Sequence, residues 1–199
     1  IDSLAQPGGN VTGLTHISIE LLGKRLGLLK ESVPKFTRFA FLEDDNFPRV
    51  AKETEATATA LGVQLQVLSL KDVNQTKLDS VFKQLVKNQI GALSTEGTPS
   101  VNLYKKKIIE SAAQHRLPAI YSDDSWPNAG GLMSYGANRM EPYRRIAVYV
   151  DKIIKGRTPA DLPVEQPMKF EFVVNLKTAK QLNVTIPQSV LFRADRVIR

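Results

Sequence analysis

The sequence predicts an α/β fold, a parallel sheet with helices on both faces. Two observations carry that prediction. Apolar runs of strand length are centred near residues 40, 66, 92 and 120, about 26 to 28 residues apart with one helical pattern between each pair, which is the rhythm of βαβ crossovers. The chain has 199 residues, 42% hydrophobic and 24% charged, enough apolar material for a sizeable core without covalent staples.

Each element has its own local signal. From Ser18, read as an N-cap, apolar residues recur at Leu22, Leu26, Leu29 and Val33 until Pro34 ends the pattern, tracing one face of an amphipathic helix. Phe39-Ala40-Phe41-Leu42 is the first strand, followed at once by the turn-prone Glu43-Asp44-Asp45-Asn46-Phe47-Pro48. A helix over about 49–61 closes at Gly62, suited to the left-handed residue after a helix. Val63, Leu65 and Val67 alternate with glutamines and lead to Leu70 as the second strand. Leu78, Val81, Phe82, Leu85 and Val86 give the clearest helical period. Ile90-Gly91-Ala92-Leu93 is the third strand, 101–115 a helix, and Pro118-Ala119-Ile120-Tyr121 the fourth strand. After the Asn128-Ala129-Gly130-Gly131 turn, Leu132-Met133-Ser134-Tyr135 is the fifth. Beyond it the rhythm changes: Ile146, Val150, Ile153 and Ile154 mark a helix running to Gly156, and prolines punctuate 159–167. Phe170, Phe172 and Val174 make a short strand, 177–182 a helix, and 189–192 a last strand-like piece.

Composition removes several function classes. There is no cysteine, so disulfide frameworks, thiolate metal sites and cysteine nucleophiles are excluded together. His16 and His115 are the two histidines, too few for a multi-histidine metal centre. Neither a metal nor a cofactor is expected. Lys plus Arg is 27 and Asp plus Glu is 20, a net charge of +7, but the densest run, Lys105-Lys106-Lys107, lies in a helical pattern without interleaved aromatics, so no nucleic-acid partner is expected. Pro7-Gly8-Gly9 lacks the Gly-Lys-Ser/Thr that would seat phosphates on a helix. No run of about 18 apolar residues spans a membrane. The chain opens on Ile1 rather than Met and carries no visible targeting signal.

In an open parallel sheet, ligands bind at the carboxyl ends of the strands, which puts the candidate site at 43–47, 94–99 and 122–126. With a strand order of 2-1-3-4-5, Asp44, Asp45 and Asn46 face Thr95, Glu96 and Thr98. These acceptors, with Asp123 and Asp124 after the fourth strand, suit an ammonium group or sugar-like hydroxyls. Phe47 and Trp126 offer flat apolar surface, and the Tyr135 hydroxyl ends the fifth strand. The same residue types are also preferred helix N-caps, a purely structural use that stays open for Asp44, Asn46 and Asp124; Trp126 stays open as a cover for the core. His115, at a helix end beside Arg116, suits capping. There is no Gly-x-Ser-x-Gly elbow and no His-Glu-x-x-His pair. A phosphoacceptor receiver is disfavoured because the third strand ends in Glu96 and no lysine follows the fifth. No catalytic residue is assigned.

At Ala129-Gly130-Gly131-Leu132-Met133-Ser134-Tyr135-Gly136 the sequence becomes specific. It resembles the ABC-transporter substrate-binding family of the tryptophan-binding-protein type, with a periplasmic-binding-protein type I fold. The resemblance continues in order through Pro7-Gly8-Gly9-Asn10-Val11-Thr12-Gly13-Leu14, Lys24-Arg25-Leu26, Leu61-Gly62-Val63, Arg116-Leu117-Pro118-Ala119-Ile120-Tyr121, Tyr149-Val150-Asp151-Lys152-Ile153, Pro159-Ala160-Asp161-Leu162-Pro163-Val164-Glu165-Gln166-Pro167 and Asn175-Leu176-Lys177-Thr178-Ala179. Most of these motifs are turns and packing positions.

The resemblance implies two-lobed clamps with an upstream βα lobe that this chain lacks. It makes 1–12 the crossover remnant of the first lobe and 13–136 the ligand-binding lobe. Residues 137–199 become a helix over 139–155 that packs on the first lobe, followed by a C-terminal tail. It implies the solute-binding component of a bacterial ABC importer, periplasmic or extracytoplasmic, holding a small polar molecule, an amino acid or related carboxylate, in an interlobe cleft for a membrane permease. The apolar stripe of the 139–155 helix suggests self-association. Two alternatives are kept: the effector-binding core of a cytoplasmic transcriptional regulator of the same fold, and an α/β enzyme working through Glu96.

Overall fold

The computed structural model describes residues 2–18, 20–43, 50–138 and 140–199, with only the backbone described over 50–53. The candidate residues Asp44, Asp45, Asn46 and Phe47 lie outside the described residues. The chain divides into two compact units, one of Ser18–Gly136 with Glu171–Arg199, the other of Ile1–Ile17 with Ala137–Phe170.

The larger unit is the expected α/β sheet, extended by two strands. In chain order it holds α1 (Leu22–Ser32), β1 (Arg38–Glu43), α2 (Val50–Ala60), β2 (Gln64–Ser69), α3 (Gln75–Lys87) and β3 (Ala92–Thr95). Then come α4 (Pro99–Leu103), α5 (Lys105–Gln114), β4 (Ala119–Tyr121), α6 (Ser125–Asn128) and β5 (Met133–Ala137). The smaller unit contributes α7 (Met140–Ile154), after which β6 (Phe170–Asn175), α8 (Leu176–Gln181), α9 (Gln188–Leu191) and β7 (Arg196–Ile198) return to the sheet. Strand order is β2-β1-β3-β4-β5-β6-β7, and β1 pairs in parallel with both β2 and β3, β3 with β4, β4 with β5, and β6 with β7.

The core has two faces because a strand turns alternate side chains to opposite sides. Phe39 and Phe41 of β1 join Leu22, Leu26 and Leu29 of α1 with Met133, Phe172 and Val174 on one face. Ala40 and Leu42 join Leu78, Phe82 and Leu85 of α3, Ile108 of α5 and Trp126 on the other. Helix starts use local caps: the Asn74 side chain accepts from the Lys77 amide at 2.9 Å, and that of Asn175 from the Thr178 amide at 3.1 Å.

Three local expectations are corrected. Ser18 is not the N-cap of α1, whose cap position, Leu21, makes no side-chain cap bond; the Ser18 hydroxyl is bonded to Glu96 instead. The 101–115 helix is two helices: Thr98 and Pro99 start α4 early, and at Tyr104 the amide bonds back only three residues to the Val101 carbonyl, tightening the turn. Residues 189–192 are not a strand. Val190 is buried while Phe192 is 81% exposed, so the two do not share a core-facing strand face and the segment forms α9. The short strand expected at Phe170, Phe172 and Val174 is β6, and β7 joins it, fastened where the Phe172 amide donates to Asp195 Oδ2 at 2.7 Å and the Asp195 amide donates back to the Phe172 carbonyl at 2.9 Å.

In the smaller unit, Leu14 forms a parallel bridge with Glu165. The Glu165 amide donates to the Gly13 carbonyl at 3.0 Å and the Thr15 amide to the Glu165 carbonyl at 2.9 Å. The Thr12 hydroxyl reaches the Leu162 carbonyl at 2.6 Å. On α7 only Tyr149 is buried, and Tyr143, Ile146, Val150 and Ile153 are exposed.

Candidate functional site

Parallel pairing brings the carboxyl ends of β1, β3, β4 and β5 side by side on one edge of the sheet. Glu43 ends β1 there, Glu96 and Thr98 follow β3, Asp123 and Asp124 follow β4, and Tyr135 lies near the end of β5. The described candidate residues after β3 and β4 and near the end of β5 thus share a rim, and most of their polar side chains have partners.

Thr95 is fully buried and its hydroxyl donates to the Leu42 carbonyl at 2.8 Å, tying β3 to β1 rather than facing outward. Thr98 caps α4, its Oγ1 accepting from the Val101 amide at 3.3 Å and lying 3.1 Å from Ser100 Oγ. Asp123 holds the start of α6: its Oδ1 accepts from the Ser125 amide at 2.9 Å and also from the Ser125 hydroxyl. Asp124 pairs with Arg196 Nη2 at 3.1 Å and accepts from Asn128 Nδ2 at the same distance. Trp126 is fully buried and stacks on Tyr121 with ring centroids 4.5 Å apart and planes 6° apart; Lys105 Nζ sits 5.0 Å from its ring centroid. The indole therefore belongs to the core, covered by a lysine. Tyr135 is half-buried, with its ring edge-on to Phe172 at 6.5 Å.

Glu96 is held by a buried arginine. Its Oε1 lies 2.5 Å from Arg25 Nη1, and its Oε2 accepts from the Ser18 hydroxyl at 2.6 Å. Arg25, fully buried on α1, also donates from Nη2 to Ser18 Oγ at 2.7 Å and from Nε to the Tyr135 carbonyl at 2.7 Å. All three guanidinium nitrogens are thus used in one fork. Sequence reasoning missed Arg25 as a site residue, although it falls between Leu22 and Leu26 on the buried face of α1. Close backbone approach completes the rim: a Cβ on Gly136 would sit 1.7 Å from the Ser122 carbonyl oxygen, and one on Gly97 2.9 Å from Ser122 Oγ.

Burial alone holds the Tyr121 phenol well above its ordinary range. In the smaller unit the Arg145 guanidinium grips the Glu165 carboxylate through Nε and Nη2. Those hydrogen bonds hold Glu165 below the usual carboxylate range and raise Arg145. The Tyr149 phenol, which donates to the Pro163 carbonyl, is pushed up to about 12, first by desolvation and then by the Glu165 carboxylate. His115 is the C-cap of α5, with Nδ1 2.8 Å from the Ser111 carbonyl. Among the described residues no group of three or more His, Asp or Glu side chains could hold a metal ion, and no helix is long and apolar enough to cross a membrane.

Residues 1–198 match the model of a family described as ABC transporter substrate binding protein. A curated relative, the tyrosine-binding protein of Clostridioides difficile, is 22% identical over 198 residues, 92% of this chain and 53% of its own length. The chain thus spans about half the length of the curated relative it matches. Two solved structures share the fold. A conserved domain protein from Vibrio cholerae has a TM-score of 0.87 at 24% identity, covering 99% of this chain and 66% of its own. An ABC domain from Streptococcus pneumoniae in complex with L-Trp has a TM-score of 0.85 at 23% identity, covering 100% of this chain and 68% of its own.

Proposed function

Because the chain belongs to the ABC transporter substrate-binding protein family, we propose that it carries a small amino acid, aromatic by first choice, outside the cytoplasm of a bacterium for delivery to a membrane permease. It does no covalent chemistry on that solute. The family match across residues 1–198 is the observation that carries the reading. The tyrosine-binding relative and the L-Trp complex support the choice of solute.

The solute's place in this reading is the carboxyl edge of the sheet. In sequence, Glu43 is followed by Asp44, Asp45, Asn46 and Phe47, residue types that suit an ammonium group and an aromatic ring. The half-buried Tyr135 and the partly exposed Asp123 lie on the same edge. Thr95 and Trp126 serve from beneath, by fixing the strand ends that present these groups, and Thr98 and Asp124 by capping and pairing. The stripe Tyr143, Ile146, Val150 and Ile153 on α7 repeats at intervals of three and four residues, the seam spacing of paired helices, and in this reading it joins a second copy of the chain.

A thermal-shift and calorimetric panel of aromatic and aliphatic amino acids, sugars and organic acids tests the function. A solute at 100 times its Kd stabilises by about 2.7 kcal/mol, and we expect that shift from aromatic amino acids. A shift from sugars alone refutes the amino-acid reading, and no shift from any solute refutes the rim as a binding site.

A further inference from the structure

The chain passes between its two units at 17/18, 136/137 and 170/171. Two of these passages end, on the sheet side, in the bonds of one buried arginine. Ser18 is the first residue of the sheet unit, and its hydroxyl accepts from Arg25 Nη2 while donating to Glu96. Tyr135, one residue before the Gly136 that closes that stretch of the unit, gives its carbonyl to Arg25 Nε. Gly136 itself lies against the Ser122 carbonyl with no space for a side chain, which fixes the second passage to the turn after β4 as well. Arg25 is 0% exposed and the Glu96 side chain 14% exposed.

Such a pair is poorly explained as a source of stability, since apolar side chains of similar volume often serve a core as well or better. What an apolar pair cannot supply is direction. A guanidinium holds its donors in one plane at fixed angles, so three oxygens from Ser18, Glu96 and Tyr135 are set relative to one another by a single rigid group.

We infer that Arg25 is a positioning residue, which through Glu96, Ser18 and the Tyr135 carbonyl locks two of the three inter-unit passages to the rim of the sheet. The inference rests on the proposed solute site in one respect: solute affinity depends on Arg25 although Arg25 is buried beneath the surface. Glu96 acts with it as an anchor for the rim.

The test combines hydrogen exchange with binding, on the wild-type chain, on Arg25→Lys, and on the paired variant Arg25→Met with Glu96→Leu. The paired variant removes both charges together, so its melting temperature stays at or above that of the wild type. Exchange in peptides covering 15–20 and 134–138 rises by about tenfold in both variants while peptides of β1 and α3 stay unchanged, and Kd for an aromatic amino acid weakens by about tenfold. Arg25→Lys keeps the charge and loses the fork, so it does not rescue either readout. Unchanged exchange at the two passages in a folded variant overturns the inference, and faster exchange with unaltered affinity overturns its bearing on the solute. If the wild type binds no solute in the panel, the functional reading fails by itself, and the exchange measurement still decides whether Arg25 positions the passages. If the paired variant does not fold, Arg25→Lys carries the same test.

Discussion

Two serines with identical burial and opposite hydrogen bonding give a sharp test of the energetics of the sheet. Ser94 of β3 and Ser134 of β5 are both 0% exposed. The Ser94 hydroxyl donates to the Ile120 carbonyl at 2.7 Å, whereas the Ser134 hydroxyl finds no hydrogen-bond partner among the described residues. A buried polar group without a partner costs about 1–3 kcal/mol, and a made hydrogen bond contributes about 0.5–1.5 kcal/mol net. Replacing serine by alanine keeps the Cβ and removes one oxygen, so cavity effects are small at both positions. Ser134→Ala should therefore stabilise by about 1 kcal/mol, and Ser94→Ala should destabilise by about as much. For a chain of this size each change moves the melting temperature by about 2–4 °C. Urea unfolding at constant slope reads the difference as a shift in midpoint. If both variants lose stability equally, Ser134 is hydrogen-bonded through an ordered water and the reasoning from direct partners is refuted.

Gly136→Ala should destabilise by more than about 2 kcal/mol, because its Cβ meets the Ser122 carbonyl oxygen at 1.7 Å and backbone must move; Gly27→Ala, in α1 with nothing within 4 Å, should stabilise by up to about 1 kcal/mol. A chemical-denaturation series on the two variants reads both signs. Glu165 has a folded pKa below its unfolded value, so its contribution is complete above about pH 4.3 and is lost as pH falls through the folded value; Glu165→Gln should flatten the acid limb of the stability profile. Tyr149 is shifted the other way, so its contribution is complete below about pH 10 and lost as pH climbs through about 12, and Tyr149→Phe should remove a late-titrating phenol from the tyrosinate absorbance curve. Sedimentation should show concentration-dependent association of the wild type, abolished by Ile146→Glu on the exposed stripe of α7; a clean monomer at high concentration removes the second-copy reading.

The sheet was legible because crossover spacing is a one-dimensional signal: apolar runs at regular intervals leave few other arrangements. The rim was legible for the same reason, since the carboxyl ends of parallel strands must share an edge. The use made of each rim residue was not. Trp126 reads as a loop residue between Ser125 and Pro127, and nothing local reveals that α6 turns inward to lay the indole on Tyr121. What decides it is the stacking at the end of β4, with ring centroids 4.5 Å apart. Thr95 reads as an outward acceptor, yet its hydroxyl is taken by the Leu42 carbonyl of a strand 53 residues away in sequence. β7 escaped because three residues flanked by charge carry no period, and α9 because Val190 and Phe192 imitate strand alternation.

Arg25 shows where a stricter reading of the same sequence leads. The period of α1 that selects Leu22, Leu26 and Leu29 also puts residue 25 on the inner face, and the helix buries it there. A guanidinium inside an apolar stripe is costly unless it is paired and fully hydrogen-bonded. Its presence therefore calls for a partner that pairs with it and satisfies its donors, before that partner is known. Which acid answers depends on strand order and register, and those are settled by packing across the sheet. Once β3 lies between β1 and β4, Glu96 meets the arginine, and that contact gives the buried guanidinium its acid.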